Sequence, residues 1–245
     1  MMPRLYCAAP LAAGTTLTLP DDAAHHARDV LRLAVGDEVT LLNGLGGEYR
    51  ARLTLVHKKE VGAEVLAFHQ RESEAPYPIT VAQSLATGDK MDWVVEKAVE
   101  LGAAAIVPLA AARSVLKLDA ARAAKRAAHW QAIVRAACEQ CGRNRLPVLL
   151  PVTPMQEWLA AQRDTPGLKL MLSPVHARKF SELDAPAPGT PVTLLIGPEA
   201  GLSDAEEAAA QGAGFTPILL GPRVMRTETA ALAALAAIHA RWGDF

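Results

Sequence analysis

The chain has 245 residues, 51% of them hydrophobic, three cysteines and a net charge of −1. It can bury a core as one large or two smaller domains, which excludes a mainly disordered chain, and its balanced charge excludes a wholly basic nucleic-acid binder. No apolar run reaches the ~18 residues of a membrane span, no signal-peptide pattern opens the chain, and an odd cysteine count argues against a disulfide framework; a cytoplasmic protein without membrane partners is expected.

Residues 1–72 read as mostly β. Leu17-Thr18-Leu19 is a short strand before Pro20, and Asp21 or Asp22 is placed to cap a helix through His25, His26, Val30 and Leu31. Glu38–Leu42 and Glu48–Leu55 are strands around the Asn43–Gly47 turn, a strong hairpin signal. That turn lacks the G-x-G-x-x-G spacing of a dinucleotide loop and leads into a strand, not a helix. Val61–Phe68 supplies a further strand, and short strands at this spacing predict a small barrel. The polar stretch Arg71–Pro78, with two prolines, reads as a linker, so the domains are expected at 1–72 and 79–245 with 73–78 between them.

From Ile79 the rhythm becomes strand–helix alternation, the pattern of a parallel sheet with helices on its faces. Ile79–Leu85, Ala105–Leu109, Val148–Val152 and Lys169–Leu172 are the predicted strands. A helix opens at Gly88–Asp92 and ends with Gly102 at its C′ position. Asp119 caps a long helix to about Cys141, with Trp130, Ile133, Val134, Ala137 and Cys141 on one stripe. Arg122, Lys125, Arg126 and His129 lie away from that stripe. Between Ala111 and Arg145 eight Lys and Arg residues face only Asp119 and Glu139, a local basic patch able to meet phosphates. Cys138 and Cys141 form a C-x-x-C without a second pair for zinc, at a helix end and not a redox-type helix start, so two packed cysteines and no metal are expected.

Two further apolar strands, Val192–Ile196 and Ile218–Leu220, each end in a Gly-Pro turn, Gly197–Ser203 and Gly221–Ala230. Ser203 and Glu206 have capping-box spacing, so the first turn leads into a helix. An alanine-rich helix closes the chain. Glycines let a ligand approach the backbone, and open α/β sheets bind ligands beyond the carboxyl ends of their strands.

The stretches LLIGPEAGLSDAEE and ILLGPRVMRTETAALAALAAI resemble the two C-terminal motifs of SPOUT-class RNA methyltransferases, and within that class the ribosomal RNA small subunit methyltransferase E family. HARDVLRLAVGDEV, KMDWVVEKAVELG and ACEQCGRNRLP resemble that family's other signatures, so the likeness spans nearly the whole chain. It implies an α/β fold: a SPOUT-type parallel sheet with helices on both faces and a deep C-terminal trefoil knot, preceded by a PUA-like β-barrel. It implies methylation of N3 of a uridine in 16S rRNA of the small ribosomal subunit, S-adenosylmethionine as cofactor, and a homodimer. One departure is Ala200, where the family has a glycine.

By the same resemblance the cofactor is expected against Leu172, Ile196, Gly197, Pro198, Gly201, Leu219, Leu220, Gly221, Met225, Thr227 and Ala230. Uracil N3 must lose a proton before it attacks a methyl group, and cations that stabilise the resulting anion help. Arg226 is the first candidate for that role, with Glu199 a candidate to orient the substrate. RNA contacts are expected from Arg4, Arg28 and Arg32 in the first domain and from Arg113, Lys117, Arg143, Asn144, Arg145 and Arg223 in the second. A SPOUT enzyme acting on a ribose 2′-oxygen and a non-catalytic RNA-binding protein are the alternatives.

Overall fold

The computed structural model describes residues 2–175 and 177–245. The chain divides into two compact units, Met1–Glu74 with Arg135–Leu146, and Ala75–Val134 with Pro147–Phe245.

The first unit holds β1 (Arg4–Tyr6), β2 (Thr16–Thr18), α1 (Asp21–His25), β3 (Glu38–Leu42), β4 (Glu48–His57) and β5 (Glu60–His69). Its strands pair in the order β1-β3-β4-β5-β2, and no ladder closes β2 onto β1 among the described residues. One core joins Leu5, Leu41, Leu53, Val65 and Ala27 from strands and helix alike. The β3–β4 hairpin forms as its Asn-Gly turn predicts. Gly44 sits at φ +82, where a side chain is strained, and a Cβ there would also push the end of the Leu146 side chain, 2.7 Å away. The N-terminal helix differs from expectation. Its cap position is Pro20 and not Asp21 or Asp22, and it passes into a π-helical turn over His26–Val30. Just past the turn comes Arg32, the one non-glycine with positive φ among the described residues.

The second unit is built on β6 (Ile79–Ser84), α2 (Lys90–Glu100), β7 (Ala103–Ala110), the first part of α3 (Ala120–Cys141), β8 (Val148–Leu149), β9 (Thr153–Pro154), α4 (Met155–Gln162), β10 (Leu168–Leu172), β11 (Arg178–Lys179), β12 (Val192–Ile196), α5 (Asp204–Gly212), β13 (Thr216–Leu219) and α6 (Thr227–Trp242). Strands pair in the order β11-β13-β10-β12-β6-β7-β8, all of them parallel, with β9 beside β7. Ala82, Val107, Met171 and Leu195 face Met155, Leu159 and Phe215 on the side covered by α4 and α5. Their neighbours Val81, Ile106, Leu170 and Leu194 are as deeply buried on the other side, where α2 packs on α6. Burial on both faces is why these strands read as continuous apolar runs. Among the described residues no helix is long and apolar enough to cross a membrane.

Candidate active site

Strand order brings three carboxyl ends together. In register, β10 lies between β12 and β13, so Leu172, Ile196 and Leu219 end at one edge of the sheet. Beyond Ile196 the first Gly-Pro turn is shaped by two glycines. A Cβ at Gly197 would press on Leu202 at 3.1 Å, whereas Gly201 has φ +74 with open space around it. Ala200 is not among the positive-φ residues, so an alanine is accommodated there without backbone strain.

A chain of hydrogen bonds ties the two turns to β6. Thr227, buried at the start of α6, donates its hydroxyl to the Gly197 carbonyl at 2.6 Å and accepts from the Gln83 amide at 2.8 Å. Gln83 is the register partner of Ile196. Its Oε1 and the neighbouring Ser84 Oγ are buried without a hydrogen-bond partner among the described residues.

Glu199 is held just as firmly. Its Oε1 accepts from the Thr87 backbone at 3.1 Å, the Thr87 hydroxyl at 3.0 Å and the Lys90 ammonium at 2.9 Å. Partial burial would raise its pKa, but the Lys90 and Thr87 contacts overcome that and hold it at about 2. Lys90 also lies 3.8 Å from Glu228 on α6. The candidate for orienting substrate is thus held in place through Oε1 by Lys90 and Thr87, and it is too weak a base to accept a proton near neutral pH. Lys90 and Thr87 escaped sequence reading because they meet Glu199 only through the β6–β12 pairing.

Beside this edge lies a pocket of about 640 Å³. Of the expected cofactor residues it is lined by Leu219, Leu220, Gly221 and Met225, with Arg223 at its rim. Lys179, Phe180 and Ser181 form another wall, and Ala233 and Ala237 of α6 complete the lining with Pro222. Leu172, Ile196, Gly197, Pro198, Gly201, Thr227 and Ala230 stand outside this lining. The Lys179–Ser181 wall carried no sequence signal. It follows the two-residue strand β11, which pairs with β13. Arg226, the N-cap residue of α6, is exposed, and neither Arg226 nor Arg223 has a side-chain hydrogen bond or ion pair among the described residues.

The expected RNA contacts divide sharply. Three are corrected by burial within the first unit. The Arg143 guanidinium is only 3% exposed and grips Glu74 at 2.5 and 3.2 Å. Asn144 is fully buried, accepting from Arg4 and donating to the Arg71 carbonyl at 2.6 Å. Arg4 is also paired with Glu48 at 2.7 Å. With both terminal nitrogens of Arg4 engaged and Arg143 closed in on Glu74, neither guanidinium is presented to a phosphate. Arg113 and Lys117 are half-committed, to the Leu202 and Ala112 carbonyls. Arg28 is tied to Asp29 and the Lys58 carbonyl. Arg32 is exposed, and Arg145 is half-exposed, 3.5 Å from Glu72. Burial pushes the Cys138 thiol up to about 12, leaving it no thiolate near neutral pH, as for a cysteine packed in a core.

Known proteins place this geometry. Residues 73–239 match the model of an RNA methyltransferase domain, and residues 19–69 that of an RNA methyltransferase PUA domain. The ribosomal RNA small subunit methyltransferase E of Bacillus subtilis is 35% identical over 231 residues, covering 91% of this chain and 89% of its own. The crystal structure of a ribosomal RNA small subunit methyltransferase E from Neisseria gonorrhoeae, bound to S-adenosyl methionine, superposes with a TM-score of 0.91 at 41% identity over the whole of both chains. A Legionella pneumophila structure in complex with the bound cofactor SAM gives a TM-score of 0.94 at 36% identity, again over both full chains. With its sequence and fold matched over nearly its whole length, the chain belongs to the ribosomal RNA small subunit methyltransferase E family.

Proposed function

We propose that this protein uses S-adenosylmethionine to methylate N3 of a uridine in 16S rRNA of the small ribosomal subunit. It would act in the cytoplasm as a homodimer, with its C-terminal segment threaded as a trefoil knot. The observation that carries the reading is an apolar strand-end pocket beside an unpaired arginine, in a chain matched throughout by S-adenosylmethionine-bound relatives. The pocket suits the cofactor. Its volume lies within the roughly 300–1,000 Å³ of small-molecule sites. Leu219, Leu220 and Met225 offer apolar walls for an adenine ring, and a Cβ at Gly221 would meet nothing, so its backbone is open to a ligand. The partly covered alanines of α6, such as Ala230 and Ala236, allow a second helix to approach closely, which supports the dimer.

When bound, S-adenosylmethionine supplies a methyl group already activated by its sulfonium, so no metal is required. The chain's own task is the uracil. Its N3–H is acidic only above neutral pH, and Glu199 is too weak a base to remove the proton. Arg226 is free to hold the uracil oxygens on which negative charge collects as N3 ionises, a positive group preorganised where charge develops. The Lys90–Glu199 and Thr227–Gly197 contacts fix the two turns so that the reacting groups meet in one geometry.

The test is methyl transfer from labelled S-adenosylmethionine to small subunits lacking 3-methyluridine, followed by nucleoside analysis. Label is expected in 3-methyluridine. Arg226→Ala is expected to lower transfer about 10²-fold with cofactor affinity nearly unchanged. Label in another nucleoside would overturn the N3 assignment, and equal loss of transfer and cofactor binding would move Arg226 into the cofactor pocket.

A further inference from the structure

The first ten residues of α3, Ala120–His129, contain no buried side chain; Trp130 is the first. Only Ala123, Arg126 and Ala127 are partly covered there, so these turns gain little from core packing. Alanine propensity and the Asp119 cap, whose carboxylate accepts the Arg122 N–H at 2.8 Å, sustain it locally. Its polar groups are nevertheless ordered. Arg122, Lys125, Arg126 and His129 fall at i, i+3, i+4 and i+7, one face of the helix. No acidic residue occurs between Asp119 and Glu139. Arg122 lies 3.4 Å from exposed Asp119, and His129 contacts Asp92 at 2.7 Å. Lys125 and Arg126 have no side-chain hydrogen bond or ion pair among the described residues.

We infer that this face of α3 docks the phosphate backbone of the RNA substrate. The inference rests on the rRNA reading above and adds the surface that holds the RNA away from the reacting base. Charge decides the occupant. Protein interfaces need an apolar or aromatic centre, and this face offers none. Interfaces with nucleic acid are polar and strongly positive, as this face is. Small alanines at 121, 124 and 128 keep the rest of the helix slim. The cationic stripe extends about 10 Å along the axis.

The triple variant Arg122→Gln, Lys125→Gln, Arg126→Gln keeps good helix formers at two exposed positions and one half-buried one. Its affinity for isolated small ribosomal subunits is measured across a salt series, beside cofactor affinity by calorimetry and mass in solution. The expected result is at least about tenfold weaker binding at moderate salt, and a slope of log affinity against log salt smaller by about 2. Cofactor affinity and mass are expected to stay constant. Unchanged affinity and slope, with the parent protein active on small subunits, would overturn the inference alone. A fall in mass would assign the face to a second copy and overturn it as well. A parent protein inactive on small subunits would overturn the rRNA reading and this inference with it.

Discussion

Glu199 illustrates what a single residue discloses. Its place in a Gly-Pro turn after a buried strand marks it in the sequence as belonging to the site. Its work is set by Lys90, 109 positions earlier, and that pairing exists only because β12 lies beside β6. The consequence is measurable in acid. Its folded pKa of about 2 lies below the ordinary 4.5, so folding favours the ionised form. Its contribution to stability is therefore full above pH 4.5 and lost as pH falls toward 2. Lys90→Met removes the cation and brings the carboxyl back toward its ordinary range. Urea midpoints taken through this interval should fall more steeply for the parent protein than for the variant. Parallel curves would show that the contact does not couple to folding.

At the scale of elements, the second unit was the more legible because its signals are local. Val192–Ile196 is a strand with the bounds its apolar run predicts, and α5 begins at the expected Ser203 capping box, with Ser203 and Glu206 each satisfying the other's backbone N–H. What sequence could not show is a second duty of Glu206. Buried to 1% exposure, it also accepts the Ala112 N–H at 2.7 Å, 94 residues away. The two residues should therefore differ on mutation. Ser203→Ala loses a cap, about 1 kcal/mol, or about 2–4 °C in Tm for a chain of this size. Glu206→Ala strands the Ala112 donor as well and should cost about 2–3 kcal/mol. Equal Tm losses in thermal denaturation would mean that the Ala112 contact contributes nothing. The N-terminal helix shows the opposite case. Two aspartates offered a cap, yet Pro20 took the position and the chain wound into a π turn, an outcome set by packing of Ala23, Ala24 and Ala27 in the core.

At the scale of the molecule, the first unit is discontinuous in sequence, which no local pattern reveals. Arg135–Leu146 follows it by sixty residues yet belongs with it. Arg143 and Asn144 looked functional because polar residues in a signature invite that reading, and Glu139 stands beside them. In the fold they are internal partners. Glu139 accepts the Tyr6 N–H of β1 at 2.6 Å, Arg143 neutralises Glu74, and Asn144 joins Arg4 to the Arg71 carbonyl. A fragment of residues 1–74 keeps the strands, the helix and the apolar core but deprives Arg4, Tyr6 and Glu74 of these partners. Each polar group left unsatisfied costs about 1–3 kcal/mol, against a total stability of about 5–15 kcal/mol for a domain. The fragment should therefore unfold at much lower urea than the same fragment carrying residues 135–146 on a flexible linker, followed by circular dichroism. If both fragments unfold together, the five-stranded sheet of the first unit stands on its own core, and the reason for keeping Arg143 and Asn144 buried must lie elsewhere than in the stability of that unit.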